Sequence, residues 1–252
     1  MQFAAIKVPL LLTVVAGIST GIGSLIALMI REPKKTYLQF SLGLSAGVMV
    51  YVSFVELLAS AVDDIGFIGA HLAFFAGLGF LMLIDFFVPH MYIAEQSNHS
   101  PENARLLNAG VLTDIGIAIH NLPEGLAVFM SSMADVKLGV VLAAAIAIHN
   151  IPEGIAVAMP IYFATGSRRK AFWYSFLSGV AEPAGALIGV LLLMPFLSPA
   201  MLAMSLAFVA GIMVFINFDE LLPLAFSEDD HHLSIVGVIS GMAVMALSLH
   251  LL

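Results

Sequence analysis

Histidine, asparagine and glutamate occur together twice in this chain, as IHNLPEG at 119–125 and IHNIPEG at 148–154, 29 residues apart. His120, Asn121 and Glu124, with His149, Asn150 and Glu153, all offer nitrogen or oxygen lone pairs to a metal ion. Each set sits inside an apolar stretch long enough to cross a bilayer, where even one ionisable residue marks a functional site. On a helix, positions i, i+1 and i+4 point at about 0°, 100° and 40° around the axis, so Glu124 projects between His120 and Asn121. Glu153 projects likewise between His149 and Asn150. If the two helices face each other antiparallel, the carboxylates lie centrally, with both histidines to one side and both asparagines to the other. That arrangement suits two neighbouring metal ions bridged by the glutamates. One would take His120, Glu124, His149 and Glu153, and the other Asn121, Asn150, the same glutamates and a further acid. Glu182, the only charged side chain between Lys170 and Asp219, is the acid expected there. The competing reading makes Glu182 a carboxyl simply hydrogen-bonded to a neighbouring helix.

Proline follows closely in each case. Pro123 and Pro152 lack an N–H, which frees the carbonyls of Ile119 and Ile148 beside the histidines. Irregular backbone at membrane depth is tolerated where it lines a wet or protein-filled cavity. Gly125 and Gly154 then permit close helix approach.

These residues must be held by membrane helices. The chain has 252 residues, 61% hydrophobic and 10% charged, against about 25% charged in a soluble domain. Eight segments are long and apolar enough to span a bilayer, about 8–30, 37–61, 66–88, 106–133, 138–163, 171–194, 200–226 and 233–252. None alternates apolar and polar with the period of a barrel strand. The expectation is an all-α membrane protein, one domain over 1–252 with eight transmembrane helices. A net charge of −8, with nine Lys and Arg scattered among short loops, speaks against a nucleic-acid surface. The absence of cysteine leaves nitrogen and oxygen ligands, which suit Zn, Fe(II), Mn or Co better than Cu(I). A signal peptide competes for the first apolar segment, but no clear small-residue cleavage site follows it.

Loops after the odd-numbered segments hold Arg31, Lys34, Lys35, Arg105, Arg168, Arg169 and Lys170, while the other set holds only Lys7 and Lys137. The positive-inside rule then puts both termini outside the cytoplasm. The segments also repeat. Residues 41–61 align without gaps on 205–225 with 11 of 21 identities, Glu56 matching Glu220. A weaker echo pairs 17–26 with 179–188. Spans one to three thus resemble spans six to eight in inverted orientation, and span four resembles span five. A pseudo-two-fold axis in the membrane plane is the layout of many secondary transporters, with the site near the midplane.

Glu56 is expected near the outer face and Asp85, Asp219 and Glu220 near the cytoplasmic one, with Glu56, Asp219 and Glu220 either marking the entrance and exit of one pathway or, as carboxylates, reaching to the interface. Asp114 is off the His120 face and expected to be structural. His71, His90, His99, His231, His232 and His250 are expected in loops or interfaces, and Glu228, Asp229 and Asp230 in a solvated loop.

HNLPEG and HNIPEG in consecutive spans, Ala-Glu-Pro in the sixth and FDELLP in the seventh resemble the ZIP (Zrt/Irt-like) metal transporters. The length and layout resemble bacterial zinc-uptake members over essentially the whole chain. The resemblance implies uptake of Zn(II), with Fe(II), Mn(II), Co(II) and Cd(II), across the bacterial inner (cytoplasmic) membrane. It implies a binuclear site on His120, Asn121, Glu124, His149, Asn150, Glu153 and Glu182. It also implies an elevator-like motion of spans one, four, five and six against two, three, seven and eight. Relatives often carry a His-rich loop between spans three and four, whereas residues 90–105 hold only His90 and His99. The metals are substrates, with no cofactor expected, and the partners are the ions and the lipid bilayer, with a homodimer left open. An intramembrane metal-dependent hydrolase is the main alternative, disfavoured because the ligand sets are nearly symmetric and no further nucleophile or acid/base group is evident. A sensor would need an output domain. ATGSRRK at 164–170 is not a phosphate-binding loop, so the chain does not itself use ATP.

Overall fold

The computed structural model describes residues 3–30, 34–87, 101–193, 198–227 and 231–251, and among them every regular element is helical. The main helices are α1 (Phe3–Leu28), α2 (Lys35–Val52), α3 (Ala59–Phe87), α4 (Pro101–Ala134), α5 (Val136–Thr165), α6 (Arg168–Ile188) and α7 (Pro199–Ile216). A short α8 (Leu222–Ala225) and a final α9 (His232–Leu251) complete the chain. His90, His99, Glu228, Asp229 and Asp230 lie outside the described residues.

Among the described residues, six runs are long and apolar enough to cross a membrane: 6–28, 35–86, 139–165, 168–191, 199–225 and 232–251. The 52-residue run holds the expected second and third spans together. The helix is broken inside it at Gly66 (φ 77°, ψ 162°), where the third span is expected to start. Only glycine adopts that conformation readily. The expected fourth span lies in α4, whose Asp114, His120, Asn121 and Glu124 lower its apolarity below that of the six. The chain is therefore an all-α multi-pass membrane protein.

Local sequence sets the helix ends. Asp135 accepts the Lys137 N–H at 2.7 Å at the start of α5, and Ser198 accepts that of Met201 at 3.1 Å at the start of α7. Gly166, left-handed at φ 65°, closes α5. Arg168, Arg169 and Lys170 open α6 at its positive dipole end, where cations are disfavoured. A need for positive charge at that loop explains them better than helix stability does.

Packing separates two groups. Helices α1, α4, α5 and α6 pack on one another, whereas α2 pairs with α9 and α3 with α7. The groups meet chiefly where α2 lies on α5 and α4 on α7. Small residues make the tight pairs. A Cβ on Gly47 would strike the Val238 carbonyl, and one on Gly211 that of Phe74. The outer faces are apolar, as for Leu11, Ile18 and Leu25 on α1, Phe67, Leu72 and Phe86 on α3, and Ile239 and Leu247 on α9. So much exposed apolar surface fits lipid and not water.

The last helical turns of the α2 and α7 runs are π-helical, Ser53–Leu58 and Asn217–Leu221. They hold Glu56 and Glu220, at matching positions of the aligned segments. A π-bulge opens the i→i−4 ladder and recurs at functional sites.

Candidate metal centre

The interior of the four-helix group is polar at one level. His120, Asn121, Glu124, His149, Asn150, Glu153 and Glu182 are all buried, none more than 2% exposed. The structure sets six of the seven in contact pairwise from α4, α5 and α6, His120 with Glu153, His149 with Glu124 and Asn150 with Glu182, while Asn121 bonds backbone of α6. His120 Nε2 lies 3.2 Å from Glu153 Oε2, and His149 Nε2 lies 3.3 Å from Glu124 Oε2. Each histidine thus meets the glutamate of the other helix, as two antiparallel copies facing each other require. Asn121 Nδ2 donates to the Ser178 carbonyl at 2.9 Å, and Asn150 Nδ2 to that of Ala16 at 3.1 Å. Asn150 Nδ2 also donates to Glu182 Oε2 at 2.9 Å. The amide groups are spent on these carbonyls, which turns the Oδ1 atoms free.

Pro123 and Pro152 lie within unbroken helices, so the expected irregularity is confined to the missing N–H groups. Gly125 and Gly154 are close-approach sites, as expected: a Cβ at the first would strike the Glu182 carbonyl, and at the second the Thr20 carbonyl. The site is thereby pinned between α6 and α1.

Acceptors without hydrogen-bond partners accumulate here: Asn121 Oδ1, Glu124 Oε1, Asn150 Oδ1, Glu153 Oε1, Glu182 Oε1 and both His Nδ1 atoms. Each such buried group costs about 1–3 kcal/mol. A native interior leaves few of them, and a concentration of them calls for an explanation such as an ion. Imidazole, amide and carboxylate lone pairs are of the kinds that bind a divalent metal.

A cavity of about 70 Å³ leads away from the His149 side, running from Glu124 and His149 to Glu56 and Ser60 between Val52, Leu142, Ala145 and Met245. That holds a few water molecules. Counting 164 residues on from Val52 and 29 back from Ala145 gives Ile216 and Gly116, and there the space is filled. A Cβ on Gly116 would strike Ile216 Cδ1, because Ile216 packs into that notch.

Glu56 is half-buried in the cavity wall. Asp85, Asp219 and Glu220 come together elsewhere, with carboxylate oxygens within 4.8 Å of one another and Asp219 exposed. Asp114 is half-buried, and the hydroxyl of Ser178, the residue whose carbonyl holds Asn121, donates to the Ser175 carbonyl at 2.9 Å. His71 Nδ1 bonds the Phe67 carbonyl at 2.8 Å, and His231, His232 and His250 are exposed.

Sequence reasoning passed over two residues. Ser45 on α2 donates to the Pro152 carbonyl at 2.6 Å, tying the two helix groups together at the motif. Thr20 on α1 is fully buried, and its Oγ1 has no partner. The alignment of 17–26 with 179–188 already sets Thr20 opposite Glu182.

Comparison with known proteins agrees with this chemistry. The sequence model of the family described as ZIP Zinc transporter matches residues 89–249. A Zinc transporter ZupT of Chlorobium phaeovibrioides is 54% identical over 258 residues, covering 96% of this chain and 97% of the relative. Proteins of the same name from Oceanobacillus iheyensis and Streptococcus mutans are 49% and 50% identical, covering 96% and 95% of this chain and 97% and 95% of the relatives.

Proposed function

The chain belongs to the ZIP family of zinc transporters, and from that premise we propose how its residues carry the ion. It takes up divalent metal, zinc first, and is a transporter and not an enzyme, which sets aside the hydrolase reading. The ions bind in a binuclear midplane site. His120, Glu124, His149 and Glu153 hold one, and Asn121, Asn150, Glu124, Glu153 and Glu182 hold the other. The observation that carries this reading is the group of buried, unpartnered lone pairs contributed equally by α4 and α5. Fe(II), Mn(II), Co(II) and Cd(II) follow as further substrates, since no thiolate narrows the choice.

Eight spans cross the bacterial inner membrane, with both termini outside the cytoplasm. They are related by inverted repeats, spans one to three to six to eight and span four to span five. Matched contacts favour the repeats. The Gly47–Val238 contact recurs as Gly211–Phe74, each residue shifted by 164 positions. Both Glu-Leu-Leu segments take a π-helical turn. Alternating access moves α1, α4, α5 and α6 as one body against α2, α3, α7 and α9, a division that the packing supports. The cavity beside Glu56 is then the approach from outside, with Asp85, Asp219 and Glu220 at the exit. Their alternative role is an interfacial acid cluster.

Ligation requires neutral histidine and ionised carboxylate, so binding displaces protons and apparent affinity falls as the pH falls. Purified protein in liposomes tests the whole reading. Zinc added outside enters without ATP, and a dye inside reports whether protons accompany it. Failure of zinc to enter vesicles holding folded protein would overturn it.

A further inference from the structure

Two offsets relate the halves of the site: 29 residues between α4 and α5, and 162 between α1 and α6. Contacts obey both at once. Asn121 donates to the Ser178 carbonyl and Asn150 to that of Ala16. A Cβ on Gly185 would strike the Leu122 carbonyl, and one on Gly23 that of Ile151. Gly125 abuts the Glu182 carbonyl, and Gly154 that of Thr20. Three matched pairs of contacts thus assign Thr20 the place in one half that Glu182 has in the other.

The side chains there differ in charge. Glu182 Oε2 accepts from Asn150 at 2.9 Å. Across the axis, Thr20 Oγ1 and Asn121 Oδ1 are buried and without partners. We propose that Thr20 is a specificity-determining residue of the ion site, a seat for a fourth carboxylate that is kept neutral, so that the second ion binds only on the Glu182 side. The inference rests on the reading of Glu182 as a ligand of that ion.

The charge balance gives the reason. Glu124, Glu153 and Glu182 supply three negative charges against the four positive charges of two divalent ions. A fourth carboxylate would complete the neutralisation and offer the second ion, from α1, an acid equivalent to Glu182. Ligand charge count is a main determinant of affinity for hard cations. A carrier must also let go, so binding has to be weak enough for the ion to leave. A hydroxyl in this seat leaves a polar contact for the ion shell without deepening the well. Room is tight, since a Cβ on the facing Gly179 would lie 3.2 Å from Thr20 Oγ1, so the size of the residue placed there has to be controlled.

The test is zinc bound per folded protein, by equilibrium dialysis and elemental analysis of the purified full chain in detergent. Glu182→Gln should lose one equivalent. Adding Thr20→Glu should restore it, and adding Thr20→Gln, of equal size but neutral, should not. Thr20→Asp takes the place of Thr20→Glu if the longer side chain lowers the melting temperature or the monodisperse fraction. Thr20→Glu alone should hold zinc more tightly and release it more slowly from loaded vesicles. If Glu182→Gln binds as much zinc as the parent chain, the Glu182 reading fails and this inference with it. If Glu182→Gln loses zinc and a folded carboxylate variant at Thr20 does not regain it, the inference alone is overturned. Recovery with Thr20→Gln would overturn it too, because charge would not be the determinant.

Discussion

The two motif helices differ by a single residue over the motif, Leu122 against Ile151, and make matching contacts with the backbones of α6 and α1. The histidine–glutamate distances, 3.2 and 3.3 Å, are nearly equal. Three differences in their surroundings bear on direction. Glu182 stands against Thr20, an open cavity against Ile216 packed on Gly116, and Ser45 bonded to the Pro152 carbonyl against Val209 at the matching position. In the proposed carrier, groups that hold an ion whichever side it faces are kept alike. Groups that distinguish the two directions are not.

The alike part gives the largest expected effect. Glu124 and Glu153 occupy equivalent central positions, so Glu124→Ala and Glu153→Ala should each reduce zinc uptake to background, and equally, in protein that still inserts and folds. Uptake into vesicles checks this. Full uptake by a stable Glu153→Ala protein would remove the site, and strongly unequal losses would break the equivalence of the helices.

Next comes the cavity. The chain has no cysteine, so a single introduced thiol is an unambiguous probe. Ala145→Cys lies in the cavity wall and should react with a membrane-impermeant reagent added outside. Gly116→Cys, in the notch filled by Ile216, should stay unreactive from that side. Labelling of both at similar rates would mean that the two sides exchange freely, and labelling of Gly116→Cys alone would reverse the proposed direction.

Much of the site was legible in the sequence for one physical reason: hydrocarbon excludes His, Asn and Glu unless they have work there. That isolates the six motif residues and Glu182 without any structure. Thr20 stayed hidden because a hydroxyl can bond its own helix and is ordinary in an apolar span. Only its register with Glu182, in the faint likeness of 17–26 to 179–188, marks it. The π-helical turns have no periodicity of their own to read, although the aligned Glu-Leu-Leu segments show where the two must match. The meeting of Asp85 with Asp219 and Glu220 depends on α3 packing beside α7, which composition does not specify. The break between the expected second and third spans was visible as a gap at 62–65, and Gly66 supplies it.

A smaller effect separates the two ion positions. Imidazole suits Zn(II), whereas an all-oxygen set suits Mn(II) better. His149→Ala should therefore reduce zinc uptake several-fold more than manganese uptake, and Glu182→Gln should reduce manganese at least as much as zinc. Competition between the two metals in the same vesicles measures this directly. Equal losses for both metals in both variants would mean that the positions have no separate chemistry.

The smallest effect concerns Ser45. Its hydroxyl donates to the Pro152 carbonyl across the boundary between the helix groups, at 2.6 Å. That carbonyl keeps a second lone pair for its own helix, so Ser45→Val does not strand it. Hydrogen bonds between membrane helices contribute about 0.6 kcal/mol on average, because the separated helices find other partners. Ser45→Val, which copies the Val209 side, should lower the melting temperature by about 1–3 °C for a chain of this size. It should change zinc uptake by no more than about threefold, the factor that 0.6 kcal/mol represents. Val209→Ser, the reverse change, offers Pro123 the same partner and should stabilise by a similar amount. Under the proposed alternating access, a tie between the two helix groups has to be weak, or it would hold the protein in one state. A Ser45→Val protein that folds normally and does not transport would show that this hydroxyl meets the ion, and the Ser45–Val209 difference would then belong to binding instead of to the boundary between the groups.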